Sequence, residues 1–388
     1  AGQGADGKVV SMADNNELFK NGESVAVLGK GERWTGLVND FDEFSASGPI
    51  YGSVRAGGEH VMASGRLKGQ TFSFGNARRS NLGVWTRALE ADAACTIRTN
   101  AGVVSSHVTS AGTGLMVDFV TTAGNGQGVV VTCDADVVVA VGDTVNDRSS
   151  MIVPPESTEW YGVPSQRISL SQSGGSAVTV QEACSDGSTR ELSIPGTATA
   201  TGAYMQTSGF ESNYLGKACR YSADTPFSVH NYQDADGDDA ANLLPTSTGS
   251  MAFGVSTQFE FAAFASLEPG SCSCSDGHVV AVTTCANGVC KGRITGGAPG
   301  VTCDCTTPMW GVLECDDTDD EQLMYGDLTY GDAGAQHGLA TAPPAPPPGP
   351  DLEAATHRIF AMNAGQGADG KVVSMADNNE LFKNGESV

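Results

Sequence analysis

Apolar residues in this chain recur at every second position or in short unbroken runs, with little of the three-to-four spacing that marks a helix. GVVVTCDADVVVAVGD at residues 128–143 is a β-branched run broken by acidic residues, and QRISLSQSGGSAVTVQEA at 166–183 alternates apolar with small polar side chains. Successive side chains on a strand point to opposite faces, so such runs bounded by Gly and Asp predict half-buried strands. β-Branched residues suit that pleated surface. Two stretches depart from the pattern: ELFKNGESV at 17–25 and NDFDEF at 39–44 are expected to form short helical turns. The fold class that follows is all-β, a row of small disulfide-bonded β-sandwich modules of immunoglobulin-like type.

The division into modules comes from recurrence along the chain. Residues 1–25 return letter for letter at 364–388, an identity that coincidence cannot produce and that points to an array or polymer. Within it, four segments open on an aromatic residue: at Tyr51, Tyr161, Phe253 and Tyr325. Behind them CSDG at Cys184 matches CSDG at Cys274, and VTCDAD around Cys133 matches VTCDC around Cys303. The expected units are the end of a module at 1–48, β modules at 49–155 and 156–247, a cysteine-rich module at 248–323, and the start of a further one at 324–388. A module completed by a strand from its neighbour would protect one sheet edge and join the row. The duplicated segment is the candidate for that strand, through Lys371, Val372, Val373, Ser374 and Met375.

Units near ninety residues have small cores, and cysteines change the picture by offering covalent support. Equivalent positions pair Cys95 with Cys133 and Cys184 with Cys219. In the third module the flanking CSDG and VTCD favour Cys274 with Cys303, leaving Cys285 with Cys290 and Cys305 with Cys315. The spacing from Cys274 also resembles an epidermal-growth-factor-like module, a likeness that implies Cys274 with Cys290, Cys285 with Cys303 and Cys305 with Cys315. Cys272 is unpaired in either scheme, as a free thiol or a bridge to another chain. Eleven cysteines point to an oxidising compartment.

A formal net charge of −24 disfavours nucleic acid as a partner and favours cations. Asp234, Asp236 and Asp238 alternate as in half of a calcium loop, so they are the candidate metal ligands, but without the downstream Glu of an EF-hand a solvated turn is the plainer reading. The stretch ATAPPAPPPGPD at 340–351 is expected to be a polyproline rod, since proline fixes φ and cannot donate to a ladder. It serves as a stiff linker or as an O-glycosylated segment at Thr341, Pro343, Pro344, Pro346, Pro347 and Pro348, resembling the hydroxyproline-glycosylation stretches of algal and plant wall proteins. The six histidines show no HExxH, GxSxG is absent, and GQGADG at 2–7 precedes a strand-like KVVS rather than a helix. No catalytic residue, and no cofactor beyond calcium or O-linked glycan, is expected. No apolar run is long enough to cross a bilayer as a helix.

The repeated ends, cysteine-bearing β modules and proline stretch together resemble the glycosylated fibrils and mastigoneme-like appendages of algal and microbial surfaces. That resemblance implies a structural subunit of an extracellular filament, its partners being identical neighbours and glycans. A calcium- or glycan-binding repeat adhesin is the alternative.

Overall fold

In the computed structural model the chain is built from strands, and the one helical element among the described residues is a single 3-10 turn, Gly65–Leu67. The described residues are 5–48, 50–55, 59–61, 63–76, 81–120, 127–143, 150–164, 167–196, 202–205, 217–232, 240–242, 244–245, 250–255, 259–297, 301–316, 323–326, 339–342, 358–360, 382–383 and 386–387.

One pairing scheme explains every module. In the first, the long strand Gln127–Asp143 gives its first half to an opening strand, Gly69–Asn76, and to a third strand, Ala93–Thr99. Its second half goes to the second strand, Asn81–Ala88, and the closing strand, Ser150–Val153. Gly102–Thr109 forms a hairpin with the third strand, and Gly114–Val120 pairs with the second. The long strand therefore belongs to two layers, and the core lies between them. Phe72 and Phe74 of the opening strand meet Leu82, Val84, Val137 and Val139 there, all buried.

The same scheme recurs around long strands Cys219–Tyr232 and Thr302–Asp316, with opening strands Ser157–Gly162 and Ser250–Val255. A fourth set uses the chain's beginning. There the long strand is split into Glu43–Ala46 and Ile50–Arg55, the second strand is Ala5–Ser11, and the third is Asn16–Lys20. Its opening strand comes from the other end of the chain: Arg358–Phe360 pairs antiparallel with Glu43–Ala46. Ile50–Arg55 and Glu59–Val61 thus join the N-terminal module by their partners, whereas the sequence division put its limit at residue 48. Tyr161 and Phe253 lie on opening strands, but Tyr51 lies on a long strand and Tyr325 on a closing one.

Three local expectations are corrected. ELFKNGESV is a hairpin, not a helical turn, because Asn21 and Gly22 take φ of 51° and 84° and so form the two-residue turn that joins Asn16–Lys20 to Glu23–Leu28. NDFDEF is a turn leading into strand Glu43–Ala46, without helix. The proline-rich stretch starts as a strand: Leu339–Ala342 pairs with Ser250–Val255, placing Thr341 opposite Phe253, and Pro343, Pro344, Pro346, Pro347 and Pro348 lie outside the described residues.

Every disulfide joins directly opposed residues of neighbouring strands. Cys95 bonds Cys133 and Cys184 bonds Cys219, each linking the third strand to the long strand, and Cys285 bonds Cys290 across a hairpin. Cα separations of 3.9 to 4.1 Å put them at the narrow pairs of antiparallel ladders. In the third module Cys274 bonds Cys303, and Cys272 bonds Cys305. This corrects two expectations: Cys272 is not left over, and Cys305 does not pair with Cys315, which lies on the long strand opposite Met324. The reason is period two. Residues 272 and 274 point to one face of the sheet, 303 and 305 to the same face from the neighbouring strand, and antiparallel register brings them together as two rungs around Ser273 and Asp304. The growth-factor-like pairing is not formed.

Replacing both Cys95 and Cys133 by alanine is expected to destabilise the first module by about 4 kcal/mol in the chain-entropy model, and the same change at Cys285 and Cys290 by about 2, because their sequence separations are 38 and 5. Hydrogen exchange of the core amides of each module measures both, and equal losses would contradict the loop-length ordering.

Candidate functional site: the joints between modules

Among the described residues chemistry-bearing clusters are sparse, and buried polar side chains gather where modules meet. The second half of the long strand shows why. Val137, Val139 and Val141 fill the first module's own core, while Val138 and Ala140 face the other way into a second apolar cluster. That cluster takes Trp85 and Ile152 from the same module, Tyr161 and Val163 from the second, and Ala265, Val289 and Trp310 from the third. Phe41 of the N-terminal module packs against it. An unbroken run of Val therefore marks burial on both faces rather than an isolated strand.

The joint between first and second modules is polar instead. Ile168 and Leu170 point into the second module's core, as do Phe227 and Val229, and the alternate residues Ser169, Ser171, Ser228 and His230 are all fully buried. They meet the first module's opening strand: Ser171 donates to Ser73 Oγ at 3.2 Å, Ser73 to Ser228 Oγ at 3.3 Å, and the His230 ring sits edge-on to Phe74 with centroids 6.3 Å apart. Ser173 donates to Glu156 at 2.7 Å beside them. Neither ring nitrogen of His230 has a hydrogen-bond partner, and burial pushes its pKa down to about 3. Desolvation raises Glu156, against the hydrogen bonds from Ser173 that lower it.

Between second and third modules, Tyr161 lies on Trp310 with ring centroids 4.7 Å apart. Asn287, at an Asn-Gly turn with φ of 52°, donates to the carbonyls of Cys184 and Ser188, each at 3.2 Å. Between the N-terminal and first modules, Arg87 donates to the Phe41 carbonyl at 2.7 Å and to Glu43 at 2.8 Å. Gly114 is required there, since a Cβ would come within 2.0 Å of the Phe41 ring. Finally Lys30 meets Asp304 of the third module at 2.9 Å, an exposed pair that adds little energy but marks the contact.

These four contacts share a direction. The opening strand or first layer of one module, carrying Ser73, Tyr161 or Glu43, meets the second layer of the following one, carrying Ser171, Trp310 or Arg87. The turn after the strand next to the third one, Glu23–Leu28 before Lys30 and Val279–Ala286 before Asn287, reaches back to the preceding module. Because the third module also touches the N-terminal one, the contacts run in a closed cycle.

The residues singled out in the sequence fall unevenly on this arrangement. The tryptophans, which are not among those candidates, all pack: Trp160 in the second module's core, Trp85 and Trp310 in the shared cluster, and Trp34 against Phe44 at 5.1 Å. Asp234, Asp236 and Asp238 lie outside the described residues, as do Lys371, Val372, Val373, Ser374 and Met375. Among the described residues no three His, Cys, Asp or Glu side chains gather to hold a metal ion, and no helix is long and apolar enough to cross a membrane. The joint residues Ser73, His230, Arg87 and Phe41 escaped sequence reasoning. Only His230 lay near a signal, the serines on alternate positions of ISLS and FSVH, which look the same as a wet face; Ser73, Arg87 and Phe41 had none.

No known protein family and no curated protein matches the chain. Among solved structures, an anti-sigma factor domain-containing protein from Clostridium clariflavum is 9% identical, with 87% of this chain and 97% of that one aligned at a TM-score of 0.17. A second anti-sigma factor domain-containing protein is 8% identical over the same shares, also at 0.17. Similarity at that level carries no argument about fold or function.

His230 makes the polar joint acid-sensitive. Its folded pKa lies below the ordinary 6.5, so its contribution is intact above that pH and is lost as pH falls towards about 3. The loss at pH 4 is about 3 kcal/mol. Glu156 acts in the opposite sense, because acid relieves the cost of its buried charge. Thermal unfolding of His230→Gln is expected to fall less between pH 7 and pH 4 than that of the parent, and parallel falls would contradict the burial of His230.

Proposed function

We propose that this chain is a structural subunit of an extracellular filament or surface appendage, polymerising end to end through its β modules. The observation that carries the proposal is one direction of contact used at every joint, in a chain whose residues 1–25 and 364–388 are identical. Head-to-tail contacts of this kind generate rings when the rotation closes, as the four joints do within one chain, and open filaments when the same contacts are made between chains instead. Both outcomes give shape and cohesion, and neither needs turnover of a substrate.

The disulfides support the compartment. Disulfides form and persist in oxidising compartments and are rare in the cytosol, so five cross-strand bridges point to an oxidising environment for the protein. Cell-surface location and O-linked sugar on the proline-rich stretch at 340–351 follow from the filament reading. The charge of −24 keeps bare units soluble before they join.

Electron microscopy of the secreted, purified chain is expected to reveal regular fibres that persist when a calcium chelator is added. Monodisperse particles of one-chain mass at all concentrations would overturn the filament reading, and fibres that dissolve in chelator would replace it with a calcium-held adhesin.

A further inference from the structure

Three modules draw their opening strand from immediately upstream. Gly69–Asn76 leads into Asn81–Ala88, Ser157–Gly162 into Arg167–Gln172, and Ser250–Val255 into Phe259–Ser266. The N-terminal module differs. Its second strand is Ala5–Ser11, and the opening strand beside Glu43–Ala46 is Arg358–Phe360, brought from the far end of the sequence. Ala63–Ser64 pairs with the outer edge of that borrowed strand, so Arg358–Phe360 occupies a slot with backbone partners on both sides.

Two further observations bear on which chain fills the slot. The strand pair Phe382–Lys383 and Glu386–Ser387 has Phe382 opposite Ser387 and Lys383 opposite Glu386, the register of Phe19 opposite Ser24 and Lys20 opposite Glu23. The strand that fills the slot is therefore followed by a second start of the module it completes. The N-terminal module also has no cysteine, the first in the sequence being Cys95, so no covalent bond ties its strands together as in the other three. No opening strand in any module carries a bridge, and here the rest of the module carries none either, so exchange of Arg358–Phe360 breaks no covalent bond.

Resting on the filament reading above, we propose that this slot is the coupling point between copies: Arg358–Phe360 of one chain enters between Glu43–Ala46 and Ala63–Ser64 of a second copy, and the Lys30 and Asp304 contact forms across the same boundary. The backbone hydrogen bonds are the same whether the strand arrives from its own chain or from another, because ladder pairing recognises backbone and register. Exchange of an identical element between chains is a low-cost route to assembly. Closure within one chain caps the slot and ends growth, whereas exchange leaves each added copy with a vacant slot for the next. The partner recognised is thus an extended three-residue segment of this same sequence, entering antiparallel.

The register supplies a test, because Arg358 lies directly opposite Ser45. One chain carrying Ser45→Cys and another carrying Arg358→Cys, with different tags, are co-expressed and oxidised. A disulfide between them can only join two copies. The expected result is a mixed-tag band at about twice 39.8 kDa, absent on reduction and well above the level either variant forms alone. The double variant in one chain is the companion measurement. An internal bridge there, with no mixed-tag band, would mean that the strand closes on its own module and would overturn exchange. No bridge in either preparation would overturn the pairing itself. Fibres of the parent chain seen by microscopy without the mixed-tag band would leave the filament reading standing and this coupling wrong, and the band without fibres would do the reverse.

Discussion

An antiparallel sheet is stable only when the backbone groups along its edges are paired or shielded, and this molecule meets that requirement module by module. Each long strand offers two half-ladders, one per layer, and each half must be flanked on both sides. Three modules satisfy the rule with strands adjacent in sequence. The fourth has Ala5–Ser11 and Asn16–Lys20 in place but reaches across the whole chain for Arg358–Phe360. That long-range pairing brings the end of the sequence back to its first residues, and the Lys30 and Asp304 contact closes the cycle of joints.

Two kinds of interaction hold the rest. Within three of the modules, cross-strand disulfides at narrow ladder pairs fix the third strand to the long strand, so that small cores need not carry the whole cost of ordering the chain. Between modules, the long strand is buried on both faces. Val138 and Ala140 use an apolar joint, and Ser228 and His230 a hydroxyl-lined one, at comparable places in the scheme. The second solution costs more, since a buried imidazole without a partner stays neutral only by giving up its proton affinity. It leaves that joint responsive to acid where its apolar counterparts are not.

Much of the fold was legible in the letters, and the failures have physical causes. Period-two alternation gave the strands, but could not tell a face turned to water from one turned to a neighbouring module, so ISLS read as half-buried when Ser169 and Ser171 are wholly enclosed. The run VVVAV carried the better signal, since no solvent-facing strand needs apolar residues on both sides. Asn21-Gly22 is a hairpin signature that weighed less in the sequence than the helix-forming Glu17, Leu18 and Lys20 around it. The two C-x-C patterns at 272–274 and 303–305 already contained the two-rung ladder, yet spacing along the chain says nothing about register across it. A three-residue strand at 358–360 has too little pattern to be seen at all; only tertiary pairing defines it.

Central to this picture is that residues 5–61 make a complete module only with Arg358–Phe360 in place. Hydrogen exchange on a chain ending at His357, compared residue by residue with the full chain, tests it most directly. Amides of Glu43–Ala46 and Asn16–Lys20 should lose protection while Gly69–Asn76 and the first module's long strand keep theirs. Unchanged protection across residues 5–61 would contradict it.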